Sequence, residues 1–414
     1  MPQPNVLLGL DLGASKIAAV VAVQEGDGSI RVTGAGLTNP QGGIKQGQIT
    51  DINAAVVAIT RAVDDALRMA GQMRPEEIEI MVSVDGIQFQ GVNLRDSVTI
   101  SSSNRVITLH DCERVMEQAT NACKLAKEEA VLHKIPQVYH IKGQRDIKNP
   151  VNMIGDTLEA EVRIILAPTS VLDNIKRALQ LSGLQGARLW YSPLASAKAV
   201  LSREDLDNGA VIVDIGDQLT HVGVFIRGAL FHSAVIPIGG AHFTKDLEVT
   251  KRLGGINVAE RIKRIYGTVM PDYAPEEDMI ELEDEEKQVS KRDIAEVLHF
   301  RAKELLEKVY GEIDHGGGVD EVHGGVHLVG GVHLVGGGAL IPHLPILAQN
   351  IFGGDRSRVI LGKVFDLQGP QQFVANPHYT NALGAVKLLS EEMGETITRP
   401  PRVNRIRDWF KNLF

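Results

Sequence analysis

Apolar runs separated by glycine turns alternate with stretches of helical periodicity along most of the chain. Strands are expected at 6–10, 17–24 and 30–37, where Val, Ile, Leu and Ala run almost unbroken, as in strands covered on both faces. A helix is expected at 53–70, because Val56, Ile59, Ala62, Val63, Ala66 and Leu67 recur at helical spacing. Pro75 closes it, and 78–84 reads as a further buried strand. The rhythm changes over 85–167. Short strands at 98–101 and 106–107, an amphipathic helix at 111–130, and strands at 135–141 and 158–165 form an inserted unit. It carries no cluster of acid, base and nucleophile, so it reads as a binding or packing module. The α/β pattern resumes with a helix at 171–182, a strand at 187–191 and a helix opening at Ser192-Pro193 and running through 201. Strands follow at 210–215, 221–226 and 230–238, then helices at 241–253, 256–267 and 291–313. A helix at 344–351, a strand at 359–361 and a small-residue helix from 381 to about 393 complete the series. The small residues at 194–199 and 381–385 suit a close crossing of two helices at a hinge.

Two turns within this pattern carry candidate chemistry. The first is Gly9-Leu10-Asp11-Leu12-Gly13-Ala14-Ser15-Lys16, between two strands. Tight glycine turns gather backbone N–H groups into a concavity that suits phosphate oxygens, and a carboxylate there can hold magnesium through its waters. Taken alone, the stretch is equally an ordinary hairpin turn with a surface lysine. The second, Val213-Asp214-Ile215-Gly216-Asp217-Gln218-Leu219-Thr220, again follows an apolar strand with an Asp and a glycine turn. Two such turns place two carboxylates, Asp11 and Asp214, around one phosphate-bound metal. A third glycine turn, Gly336-Gly337-Gly338-Ala339, lies between a strand and a helix start. Gly239-Gly240 opens another helix. Glu260, Lys263 and Arg264 share one face of the 256–267 helix, where a solvated charged face is the alternative.

The hexapeptide Gly-Gly-Val-His-Leu-Val occurs in tandem at 324–329 and 330–335. Two copies are too few for a solenoid. Glycines between His323, His327 and His333 disfavour a helical metal site. The first copy reads as a duplicated strand or an enlarged loop. The acidic stretch 276–287 reads as a solvated loop, with steering of a basic partner as the alternative.

Composition narrows the class. With 414 residues, 43% of them hydrophobic, the chain accommodates two or three domains with real cores. A net charge of −9 disfavours nucleic acid as a partner. Cys112 and Cys123, expected in one helix and too far apart along it to bridge, are expected to be free thiols in a reducing cytosol. The N-terminus lacks the signature of a secretory signal, and no apolar run approaches the roughly 20 residues that span a bilayer. The last ten residues differ from everything before them. Ile406, Trp409, Phe410, Leu413 and Phe414 fall on one helical face, with Arg405, Arg407 and Lys411 on the rest, behind a Pro-containing linker at 395–404. Docking on the protein's own core is one reading. A basic amphipathic helix with Trp and Phe reads better as lying in a membrane interface.

The three glycine turns, the two small-residue helices and the charged helix together resemble the actin-type ATPase superfamily. Within it, the inserted unit (Ile135-Pro136-Gln137-Val138-Tyr139-His140-Ile141 and Ile147-Lys148-Asn149-Pro150-Val151) and the basic C-terminus resemble the FtsA family of bacterial cell-division proteins. The resemblance covers essentially the whole chain. It implies an α/β, actin-like two-lobed fold built on duplicated ribonuclease-H-like cores, with an inserted α+β subdomain. The implied parts are a first lobe core (1–84, 168–205, 380–394), the insert (85–167), a second lobe core (206–238, 307–379), a second-lobe subdomain (239–306), a linker (395–404) and a membrane-targeting helix (405–414). It implies ATP or ADP with Mg2+, with Asp11 and Asp214 as the catalytic and water-mediated metal residues. Gly13, Ala14, Ser15, Lys16, Gly216, Gln218 and Thr220 match the phosphate turns. Gly239, Gly240, Glu260, Lys263, Arg264, Gly336, Gly337, Gly338 and Ala339 match the nucleotide side of the second lobe. Further implications are self-assembly into filaments, attachment to membrane lipid, capture of the FtsZ C-terminal tail near Arg301, contact with other division proteins, and a peripheral place on the cytoplasmic face of the membrane at the division site. Asp217, His221 and the single glycine at 216 depart from the Gly-Gly-Gly-Thr usual in the superfamily, which implies slow hydrolysis at most. Sugar-kinase-like or chaperone-like enzymes and a pilus-assembly protein are the alternatives within the same superfamily.

Overall fold

The computed structural model describes residues 5–71, 78–282, 288–319, 328–353 and 358–397. Two five-stranded sheets have the same topology. The first runs, from edge to edge, Ile30–Thr38, Ile17–Gln24, Asn5–Leu12, Glu79–Val84 and Arg188–Tyr191. The second runs Ala229–Ile236, Thr220–Ile226, Ala210–Ile215, Gly331–Val335 and Val359–Leu361. In each, a three-stranded antiparallel meander is extended by two parallel strands. The registers correspond: Asp11 pairs with Ala18 and Asp214 with His221 across the hairpin of each sheet. Each sheet thus forms the core of one lobe, and the apolar runs are explained by helices covering both faces.

In the first lobe, the helix Ile52–Met69 lies on one face of the sheet, its first turn capped by the Asp51 side chain, which accepts from the backbone N–H groups of Asn53 and Ala54. The helix Thr380–Ile397 lies on the other face and crosses the helix Ser192–Val200. These two hinge helices approach at backbone distance. A Cβ at Gly384 would fall 1.9 Å from the Ala195 carbonyl oxygen, and one at Gly9 would fall 2.0 Å from that of Ala382. The small-residue stretches in the sequence are this crossing. Gly384→Ala is expected to lower stability by about 1–3 kcal/mol, as overpacking does. Denaturant unfolding checks this, and unchanged stability would mean that the crossing has slack.

Between the second and third parallel elements of the first lobe, an insert forms its own sheet, ordered Gln90–Thr99, Thr157–Pro168, Glu129–Ile141 and Gln144–Ile147, with the helix Leu109–Asn121 packed on it. It also reaches the second lobe. The buried Arg163 donates to the Phe231 and Ser233 carbonyls, each at 3.0 Å, and Gln137 donates to the Leu230 carbonyl at 3.1 Å.

Several local expectations are corrected. The helix expected at 111–130 ends at Asn121, and residues from Glu129 onward are strand. Pairing with Thr157–Pro168 overrides the amphipathic pattern there. Cys112 is therefore buried in the helix while Cys123 lies just past its end, and both are free thiols. The last helix runs to Ile397, so residues 395–397 of the expected linker are helical. The remaining linker, all of 405–414, and residues 283–287 of the acidic stretch lie outside the described residues, as do His323, His327 and most of the first hexapeptide. The second hexapeptide supplies the strand Gly331–Val335, in which the buried His333 shares its Nε2 with the Gly330 carbonyl. A six-residue shift is even and would keep the faces of that strand. It would also bring Val332 to the position of Gly338, where a Cβ falls 2.3 Å from the Ile215 side chain. Gly338 thereby selects the second copy.

Candidate functional site

The two equivalent hairpins point their turns into one cleft between the lobes. Each turn is closed by the same backbone bond: Gly13 N–H to Lys16 carbonyl at 3.0 Å, and Gly216 N–H to Leu219 carbonyl at 2.9 Å. The cleft is lined by Asp11, Gly13 to Lys16, Asp214, Gly216, Asp217, Gln218, Gly336 and Gly337, among others. The structure brings the two Asp-containing glycine turns and the third glycine turn together on this cleft.

At the floor, Asp11 and Asp214 are 5% and 6% exposed. The ammonium of Lys16 lies 3.4 Å from Asp11 Oδ2 and donates to the His378 carbonyl. Burial pushes the Asp11 carboxyl from 3.8 up to about 6, with Lys16 opposing and Asp85 and Asp214 adding to the rise. Such a carboxyl keeps its proton longer in the folded chain, so stability is gained as pH falls from about 6 towards about 4 and is lost above that window. Asp11→Asn should accordingly be more stable than the parent at pH 7, by at most about 3 kcal/mol, with the gain gone near pH 4. Unfolding titrations at the two pH values check this, and an equal difference at both would contradict it.

His221 reaches across from the second lobe to Asp85 of the first, Nε2 to Oδ2 at 3.0 Å. Burial lowers the basicity of this imidazole, but Asp85, Asp214 and Asp11 outweigh it, and its pKa is raised. The Gln218 carboxamide oxygen also crosses the cleft, accepting from the Gln46 backbone N–H at 2.9 Å. Asp217 lines the cleft, its carboxyl raised by burial against the pull of Lys263.

Other expected positions surround these at one remove. Gly240 N–H donates to the Gly216 carbonyl at 2.9 Å, so Gly239-Gly240 supports the second phosphate turn from behind. Lys263 is buried, donates to the Gly240 carbonyl at 3.0 Å and to Thr244 at 2.7 Å, and pairs with Glu260 at 2.6 Å. Its charge is thus used inside the protein, propping that turn, whereas Arg264 is exposed. Thr220 is fully buried and its hydroxyl donates to the Ile238 carbonyl, which corrects the expectation that it meets a ligand. Gly336 has φ +82° and packs against Asp214, while Gly338 and Ala339 are buried behind it. His221, noted in the sequence only as a departure from the superfamily motif, lines the cleft, and so do residues the sequence did not single out for the site, among them Gln46, Asp85 and Asn381. Only Asn381 had a signal, its place in the small-residue helix.

The donor set fits a hydrated magnesium ion carried by phosphates. Two buried carboxylates face one cleft, and Nδ1 of both His221 and His378 is a buried polar atom without a partner. Among the described residues no group of three or more His, Cys, Asp or Glu forms a metal cage.

The family model "Cell division protein FtsA" matches residues 211–384, and "SHS2 domain inserted in FTSA" matches 86–166. The curated cell division protein FtsA of Neisseria meningitidis is 31% identical over 324 residues, 77% of this chain and 76% of the relative. That of Pseudomonas aeruginosa is 29% identical, covering 99% of this chain and 98% of the relative. Among solved structures, the PilM–PilN type IV pilus biogenesis complex superposes with a TM-score of 0.65 at 16% identity, covering 93% of this chain and 98% of that one. MreB5 of Spiroplasma citri bound to AMPPNP superposes with 0.51 at 14% identity, covering 96% and 99%. The solved structures show an actin-like fold, and the family match identifies the insert as an SHS2 domain.

Proposed function

Because the chain belongs to the FtsA family of cell-division proteins, we propose that it is an ATP-binding, polymerising protein that tethers FtsZ filaments to the cytoplasmic face of the cell membrane at the division site. The observation that carries the nucleotide part is the pair of equivalent turns, each with a buried aspartate, opening on one cleft. Neighbours of the same fold were solved with AMPPNP and with ADP, which supports ATP or ADP as the ligand. Gly13, Ala14, Ser15, Lys16, Gly216 and Gln218 would surround the phosphates. Asp11 and Asp214 would hold the cation through water. When bound, the ion would neutralise phosphate charge. Asp217 adds negative charge to the cleft, which favours slow turnover at most and a role for nucleotide in setting the closure of the lobes. Repeated head to tail, a small preference for one closure becomes an assembly switch.

Capture of the FtsZ tail is assigned to the groove between the helices Gly240–Lys251 and Lys291–His315. Arg301 is held there by a two-point pair with Asp246, at 2.5 and 3.1 Å, and by Glu304. Beside it, Phe300 lines the same groove and is 72% exposed, so an apolar anchor sits next to an oriented guanidinium. Arg301→Glu is expected to weaken binding of an FtsZ tail peptide at least about tenfold, the scale of one charge-assisted contact. Fluorescence anisotropy with the full chain measures this, and an unchanged affinity would remove the groove from the proposal. Among the described residues no helix is long and apolar enough to cross a membrane. The membrane part therefore rests on Arg405, Ile406, Trp409, Phe410, Lys411, Leu413 and Phe414. Contacts with other division proteins complete the reading.

A further inference from the structure

The crossing of the two hinge helices is rich in small residues, and among the buried polar side chains on these helices Asn381 and Ser196 meet each other beside the cleft. Asn381, in the first turn of the helix Thr380–Ile397, is 8% exposed, and Ser196 of the helix Ser192–Val200 is fully buried. The Asn381 amide nitrogen donates to Asp214 Oδ2 at 2.9 Å and lies 3.4 Å from Asp11 Oδ1. The Asn381 oxygen accepts from the Ser196 hydroxyl, which also lies 3.3 Å from Asp214 Oδ2. The chemistry fixes the orientation of the amide. Ionised carboxylates only accept, so the NH2 group must face them, and the oxygen must then face the one hydroxyl available. One amide therefore touches an acid from each lobe and is itself held by the other hinge helix.

Buried polar groups in a crossing of alanines and glycines are costly unless each finds its partner, and here the partners are the two site acids. We propose that Asn381, oriented by Ser196, is a positioning residue that holds the Asp11 and Asp214 carboxylates of the two lobes at a common spacing for one nucleotide-borne magnesium ion. This rests on the nucleotide reading given above and adds a residue and a route to it. Both helices on which the lobes pivot contact the cation ligands directly, so a change of spacing between the acids is felt at the pivot.

The experiment is equilibrium binding of ATP to the full chain, with Mg2+ and again in EDTA, for the parent, Asn381→Ala and Ser196→Ala. Asn381→Ala should lose about tenfold in affinity with Mg2+, one charge-assisted hydrogen bond, and little in EDTA. Ser196→Ala should show the same cation-selective pattern at smaller amplitude, and it carries the comparison if Asn381→Ala does not fold. Equal losses with and without Mg2+ would mark a merely structural role and overturn the proposal, as would no loss in either variant. Absence of ATP binding by the parent is a different result, and it would overturn the nucleotide reading together with this one.

Discussion

Removing residues 405–414 is expected to reduce co-sedimentation with anionic liposomes to the background level. As a helix, the segment would place Ile406, Trp409, Phe410, Leu413 and Phe414 on one face, by their spacing in the sequence. Full burial of a large apolar side chain is worth about 1.5–3 kcal/mol. Half of that for five side chains gives about 4–7 kcal/mol in the membrane interface. Arg405, Arg407 and Lys411 add about 1 kcal/mol each near an anionic surface. Ordering the short helix opposes this, but the apolar and charged parts together outweigh it. Salt separates the two parts. Between about 0.1 M and 1 M the screening length falls from about 10 to about 3 Å, so binding should weaken without vanishing. Liposome binding that survives truncation would place the membrane contact elsewhere on the chain.

Gly336→Ala is expected to lower ATP affinity by about 100-fold while leaving the fold intact. Gly336 has φ +82° and ψ 170°, a region adopted essentially by glycine alone. A Cβ there would fall 2.3 Å from Asp214 Oδ1 and 2.6 Å from the Ile215 carbonyl oxygen. Both atoms belong to the second phosphate strand, so relief of the clash moves a proposed cation ligand. Backbone strain of about 1–3 kcal/mol adds to the displacement. Gly254→Ala separates the two effects. Gly254 also has a positive φ, +91°, but nothing lies within 4 Å of its Cβ position. That control should lose some stability and keep its ATP affinity.

Much of this architecture was legible because it is written locally. Asp11-Leu12-Gly13 and Asp214-Ile215-Gly216 each follow an apolar strand and precede another, and the repeat of that short pattern announced the duplicated core. The insert was visible as a change of rhythm at 85–167. Residues 111–130 misled because the pattern of 122–130 tolerates a helix, whereas the helix ends at Asn121 and Glu129 and Ala130 pair with the distant strand Thr157–Pro168. Within the site, what could not be read depends on distance along the chain. Asp85 meets His221, Gln46 meets Gln218, and Asn381 meets both Asp11 and Asp214, contacts that no local spacing encodes. Lys263 shows the converse limit. Its type and helical position matched a ligand contact, whereas its buried ammonium supports the turn that underlies the second phosphate loop.

The two lobes are proposed to close on one Mg2+-nucleotide through two equivalent turns. The most direct measurement is the ATP binding isotherm of the full chain with and without Mg2+, with Gly336→Ala and Gly254→Ala alongside. The account predicts one site, tighter with Mg2+, greatly weakened by Gly336→Ala and retained by Gly254→Ala. No binding by the parent chain, or equal binding by Gly336→Ala, would contradict it.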